Sequence, residues 1–312
     1  MSRQLFGAIV TPHGVAANNR GEGEGNTTTL QKIMWHGDVY TTVFAEAIRW
    51  AIRADWQRRG IPVNRQWDDT ARRHAWRDQE FLEEGRPFVD DDLLGYMSAQ
   101  AAKQEAGGDR PEDPGGPKGR QRGKTLARRS RFEATRAISL GPWTGDVVFN
   151  VAGVGATPSA ATKGAFPVPY SVEVHATRYQ YAFALTPEQL YDRARALVLI
   201  DAITDLGVVA GNHARYLYDF SPDAVIFRWT EDFAPRLLYT FRVDEGGGLA
   251  VPELVRRVRA GDIDARELIV GGKLAETGDG ETLQGLGAAV YPGVKAAARA
   301  VKGLLKSLTP GA

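Results

Sequence analysis

Residues 5–53 read LFGAIV TPHGVAANNR GEGEGNTTTL QKIMWHGDVY TTVFAEAIRW AIR, and the reading of this stretch decides the fold. Leu5 to Val10 is a short apolar run of strand type. The segment after it cannot continue a strand or a helix. Pro12 removes a donor, and Gly14, Gly21, Gly23 and Gly25 free the backbone. Asn18, Asn19 and Arg20 sit in the middle of that loop, and Gln31 and Lys32 near its end. After Gly37 and Asp38 the chain regains helical periodicity. Val43, Ala47, Trp50 and Ala51 fall on one stripe, with Phe44, Ile48 and Ile52 beside it. Thr41 or Thr42 is the expected cap. Arg49 and Arg53, one turn apart, project from the same side. From Phe6 to Arg53 the chain reads as a strand, a long polar loop and a helix that delivers two guanidinium groups.

Composition bounds the rest. A chain of 312 residues can bury a substantial core, and 43% hydrophobic with 25% charged residues is ordinary for a globular protein. There are no cysteines, so disulfides, thiolate metal sites and cysteine nucleophiles are excluded. Nothing resembling a signal peptide or a membrane span is read, and a cytoplasmic location is expected. The net charge is only +1, but it is unevenly spread. From Lys118 to Arg136 the basic residues are Lys118, Arg120, Arg122, Lys124, Arg128, Arg129, Arg131 and Arg136, against the single acid Glu133. Such a cluster favours nucleic acid over a plain flexible loop, because binding releases counterions.

Along the chain, Trp56 to Arg86 is rich in Arg, Asp and Trp, with Trp67, Trp76 and Phe81 as expected anchors. In FVDDDLLGYM, Gly95 breaks a helical run, and Asp90, Asp91 and Asp92 are expected to be solvated. The Gly/Pro/charge content of Ala106 to Gly123 predicts a mobile loop. Tyr170 to Leu185 alternates as a strand with a bend or change of phase near Thr177. Thr186-Pro187-Glu188-Gln189 predicts a helix start with a capping box, the helix carrying Leu190 and stopping at Gly207. Strands are expected in AVIFRWT and LLYTFRV, and a short helix from Pro252 to Ala260. An amphipathic helix is expected from Val294 to Leu308, with Leu304 facing inward. The sum is an α+β pattern of ferredoxin-like type with a large insertion after its first helix.

The loop and helix wording, IVTPHGxAANNRGExEGN followed by TTLQK and TTxxAEAIRWA, resembles the opening of the DevR family. These are backbone subunits of type I-B CRISPR Cascade complexes. The resemblance implies a modified RNA-recognition-motif palm carrying fingers and a thumb. Residues 1–55 would give the first part of the palm, 56–145 the fingers and 146–312 the rest of the palm, with the thumb around 208–222 and a C-terminal helix. It implies that several copies coat a CRISPR guide RNA head to tail and present it to target DNA. The other Cascade subunits, and a separate helicase-nuclease or transposition machinery, would be partners, and no membrane would be. Asn18, Asn19, Arg20, Gln31, Lys32, Arg49 and Arg53 would then contact RNA, as would His213 and Arg215 in the thumb. Lys118, Arg120, Arg122, Lys124, Arg128, Arg129 and Arg131 would meet RNA or DNA.

Each of these residues also has a plainer reading, as a solvated loop, a solvated helix face or a turn histidine. Gly21 to Gly25 make a poor phosphate cradle, because interleaved glutamates repel an anion. His13, His36, His74, His175 and His213 show no metal-ligand spacing, so no metal or cofactor is expected. The competing function is a metal-independent endoribonuclease that processes the guide precursor, with His13 as its general acid–base group. The residues favour a binder over an enzyme.

Overall fold

The computed structural model describes residues 2–17, 23–99, 125–151, 153, 155–156, 169–209 and 217–308. Counting strands of three residues or more, the first half runs β1 (Gln4–Val10), β2 (Gly14–Ala17), β3 (Lys32–Trp35), β4 (Asp38–Val43), α1 (Ala45–Arg58), β5 (Arg65–Asp68), β6 (Arg73–Trp76), α2 (Val89–Leu94), β7 (Tyr96–Ala99) and β8 (Thr125–Arg128). The second runs β9 (Phe132–Ala134), β10 (Ala137–Ser139), β11 (Val147–Val151), β12 (Pro169–Thr177), β13 (Tyr179–Leu185), α3 (Arg195–Thr204), β14 (Ala224–Thr230), α4 (Pro252–Arg259), β15 (Leu268–Gly272), α5 (Gly278–Gly285), β16 (Ala289–Tyr291) and α6 (Val294–Lys306).

Strand β1 is the centre of a mixed α+β architecture. All seven of its residues are buried, which is why the run is continuously apolar rather than alternating. It pairs antiparallel with β13 on one side and β14 on the other. The large sheet has the order β16-β15-β14-β1-β13-β10-β4-β3, with β9 also on β13. Its inner part is a β1–α1–β9/β10–β13–α3–β14 unit, in which α3 carries the chain from β13 past β1 to β14, and α1 follows β4, the neighbour of β10.

The two faces of β1 face two cores. Leu5 and Ile9 pack with Ala47, Ile48, Ala51 and Ile52 of α1, Leu199 and Ile200 of α3, and the apolar stripe of α6. Phe6, Ala8 and Val10 pack with Leu254, Val255 and Val258 of α4 and Leu283 of α5. Gly7 is required between them, because a Cβ there would run into the Phe183 ring.

Several expectations need correction. Thr41 and Thr42 do not cap α1; they lie in β4, and Phe44 is the cap residue without a side-chain bond. Pairing of β4 with β3 and β10 uses these β-branched residues as strand. The Thr41 hydroxyl is committed elsewhere, to His175 Nδ1 at 2.7 Å and the Tyr179 hydroxyl at 2.9 Å. The change of phase expected near Thr177 falls at Arg178, and there Tyr170 to Leu185 divides into two strands. β12 pairs with β11 and β2, whereas β13 enters the large sheet.

Thr186 caps no helix, since its hydroxyl donates to Gln4 Oε1 at 2.7 Å. Pro187–Gln189 is a single 3₁₀ turn, and α3 begins only at Arg195. Leu237 to Phe241 forms no strand, although Leu237 and Phe241 are fully buried. In α6, Leu304 points partly outward, at 37% exposure. β9 and β10, within the stretch assigned to the insertion, return to the large sheet.

Candidate nucleic-acid interface

Helix α1 presents Arg49 and Arg53 towards α2 and the β5–β6 hairpin. The sequence offers Glu46 as the only acid on that helix close enough to pair either arginine, but α2 supplies others. Asp90 is 1% exposed and accepts from Arg53 Nε at 3.0 Å and from the amides of Asn64 and Arg65 at 2.7 and 3.1 Å. Asp92, also 1% exposed, accepts from Arg128 at 2.5 Å, Arg195 at 2.8 Å and the Tyr191 amide at 3.0 Å. The expectation that these acids are solvated is therefore overturned for Asp90 and Asp92. Buried carboxylates are tolerable here because each is met by guanidinium and backbone donors. Asp91 differs: no guanidinium bonds it among the described residues, and it accepts from Asn64 Nδ2 at 2.9 Å. Burial, and then the charge of Asp90, push its carboxyl up to about 7.

Between these elements lies a cleft of about 460 Å³, lined by Arg49, Arg53, Arg65, Arg128, Trp76 and Tyr96. Glu46, Asp90 and Asp91 also reach it. Arg49 is half-buried and donates to the Leu94 carbonyl. Desolvation, followed by the nearby charge of Arg53, lowers the pKa of both Arg49 and Arg65. Guanidinium groups have thus been drawn partly out of water and towards one another. Their remaining mutual repulsion is what an incoming anion would relieve. Gly95 ends α2 at φ +69°, and a side chain there would strike the Arg128 carbonyl, so only glycine lets β7 and β8 pair so closely under the cleft.

The other residues singled out by sequence are dispersed. Lys32 is drawn inward, 2.7 Å from Glu173 and 3.9 Å from the centre of the Trp143 ring, well away from the cleft. Gln31 is half-buried, and its carbonyl accepts from the Thr42 amide at 2.8 Å. Arg128 lines the cleft, but Arg129 and Arg131 line a separate hollow with Gln4, Phe6 and Phe233. Arg129 is exposed and pairs with Glu133 at 2.7 Å. Asn18, Asn19, Arg20, Lys118, Arg120, Arg122, Lys124, His213 and Arg215 lie outside the described residues, as does the loop from Ala106 to Gly123.

Sequence reasoning missed Arg65, Tyr96 and the placement of Trp76. The signal for Arg65 and Trp76 was present in the short alternations RQWD and RHAW, which pair as β5 and β6 with Arg65 opposite Trp76. Among the histidines, His13 is exposed, and His175 is buried with its pKa lowered chiefly by desolvation. Among the described residues, no group of three or more His, Cys, Asp or Glu comes together to hold a metal, and no helix is long and apolar enough to cross a membrane.

This fold and cleft can be set beside known proteins. The family described as CRISPR-associated negative auto-regulator DevR/Csa2 matches residues 13–191. A protein of Myxococcus xanthus (strain DK1622), "CRISPR-associated protein Cas7/Cst2/DevR", is 48% identical over 307 residues, covering 96% of this chain and 97% of that protein. The chain belongs to the DevR/Csa2 family of Cas7-type CRISPR-associated proteins. Its fold is similar to a chain of a solved "CRISPR RNA-guided surveillance complex", with a TM-score of 0.54, 15% identity, and coverage of 98% of this chain and 100% of that one. A chain of a second such complex, titled "pre-nicking", gives a TM-score of 0.56 at 13% identity over 98% of this chain and 100% of that one.

Proposed function

We propose that this chain is a non-catalytic, guide-RNA-binding backbone subunit of a type I-B Cascade, several copies of which coat one guide RNA. The observation that carries this reading is the cleft in which Arg49, Arg53, Arg65 and Arg128 converge beside Trp76 and Tyr96. Guanidinium groups form forked hydrogen bonds to phosphate oxygens, and such contacts hold a strand without reading its sequence. Bases left outward remain available for pairing, so specificity would belong to the guide and not to the protein.

In this reading the β1–α1–β9/β10–β13–α3–β14 unit is the ferredoxin-like, RNA-recognition-type palm, and the insertion containing β5 to β8 forms the fingers. Arg53 and Arg128, tied to Asp90 and Asp92, shape the cleft, whereas Arg49 and Arg65 are the better placed to meet phosphate. The partners are the guide RNA, target DNA, further copies packed head to tail, the other Cascade subunits and a separate nuclease or transposition machinery, in the cytoplasm.

Measuring single-stranded RNA affinity against salt tests the cleft. Each phosphate contact contributes about 0.7 to the slope of log affinity on log salt. Arg49→Ala and Arg65→Ala should each flatten it by about that amount, and slopes equal to the parent's would remove the cleft from the interface. Incubating the protein with guide precursor in EDTA should leave the RNA intact; defined cleavage would favour the endoribonuclease.

A further inference from the structure

Next to the arginine cleft the fingers build a second hollow, of about 360 Å³, lined by Trp76, Gln79, Phe81, Met97 and Ser98. It shares Trp76 and Met97 with the cleft, so the two form one continuous surface. Its floor is aromatic. The Trp76 ring meets Phe81 edge-on at 5.6 Å, and Phe81 in turn stacks on Tyr96 at 3.8 Å with only 6° between planes. Trp76 is 36% exposed and Met97 is 74% exposed, unusual for apolar side chains standing together.

The loop that carries the aromatic floor holds two residues in the left-handed region. Phe81 has φ +56° and Arg86 φ +48°, values that bulky L-residues rarely adopt. The Asp78 carboxylate maintains the loop by accepting from the amides of Glu80 at 2.9 Å and Glu83 at 2.8 Å. Strain of this kind persists where the surroundings over-determine it, and it clusters at binding sites.

We infer that this hollow receives one unstacked nucleobase of the single-stranded RNA whose phosphates lie in the arginine cleft. The inference rests on the reading of the cleft given above. An apolar, flat-sided floor suits the π-face of any base, and the Gln79 amide and Ser98 hydroxyl stand at its edge as hydrogen-bonding groups. Anion-binding guanidiniums directly beside an aromatic floor match the alternation of phosphate and base along a strand. Arg65 joins the two parts, since it lines the cleft and lies 5.8 Å over the Trp76 ring. A neighbouring protein copy needs no such pairing of charge and aromatic floor.

The test compares the full-length chain, freed of nucleic acid, with its Trp76→Ala and Trp76→Phe variants. Each is titrated with a short single-stranded RNA and with the same backbone lacking bases. Loss of one stacked base lowers affinity by about tenfold or more. Trp76→Ala should therefore weaken binding of the base-containing RNA about tenfold at an unchanged salt slope, and Trp76→Phe should restore most of it. The base-free strand should lose much less than the base-containing RNA, only the small change that follows when Arg65 loses the ring beneath it. With 5-iodouracil in the RNA, photocrosslinks should map to Trp76 or Met97. Equal affinity of parent and Trp76→Ala for the base-containing RNA would overturn the proposal while leaving the cleft standing. Equal losses on both strands would also overturn it, by assigning Trp76 a purely structural role. A defect appearing only when several copies assemble on long RNA would make the hollow a protein contact and overturn it too. Unchanged salt slopes for Arg49→Ala and Arg65→Ala would instead bring down the reading on which it rests.

Discussion

Asp91, on α2, is a carboxylate whose environment opposes its charge. Its pKa is pushed up to about 7, first by burial and then by Asp90. The folded chain therefore holds this proton more tightly than the unfolded one. The associated stability is fully present below the ordinary carboxylate range and is lost as pH rises through about 7. Asp91→Asn imitates the neutral form, so its advantage in melting temperature should widen from pH 5 to pH 7 and level off above. An advantage that is constant over this range would contradict the assignment. Asp92 is a buried carboxylate met by both Arg128 and Arg195. Removing one partner of such a buried set costs about 3–5 kcal/mol. Asp92→Ala should lose about that much in urea unfolding, and a loss under about 1 kcal/mol would mean the cluster is not holding α2.

At the level of elements, the clearest contrast is between Arg49 and Arg53. From sequence they are equivalent, one turn apart on α1. In the structure Arg53 is bonded to Asp90, and Arg49 reaches the Leu94 carbonyl at the cleft's wall. Arg53→Ala should accordingly lower the melting temperature well beyond Arg49→Ala by leaving Asp90 buried and unpaired. Similar melting curves for the two would count against this division of roles.

The same contrast shows what sequence could and could not reveal. The stripe of α1, the apolar run of β1 and the glycine stops at Gly95 and Gly261 are local patterns, and each was legible. The burial of Asp90 and Asp92 was not, because it depends on Arg53, Arg128 and Arg195, which are distant in the chain. The late start of α3 has the same cause. The amides of Tyr191 and Asp192 are drawn to Asp92, so the chain stays out of helix where the capping box at Thr186 predicts one. Of the cleft's four arginines, Arg49, Arg53 and Arg128 were singled out from sequence. Arg65 and Trp76 become partners only once β5 and β6 pair.

For the whole molecule, the proposal is a coat. One chain with one arginine cleft holds a short run of nucleotides, so coverage of a guide requires repetition. Copies must then meet through a heterologous interface that does not close on itself and grows with its template. Each added copy gains both phosphate contacts and a neighbour, which makes binding cooperative along the strand. Native mass spectrometry of complexes assembled on guides of stepwise increasing spacer length measures this most directly. The account predicts a copy number that climbs in regular steps with RNA length, and a number fixed at one or two for every length would contradict it.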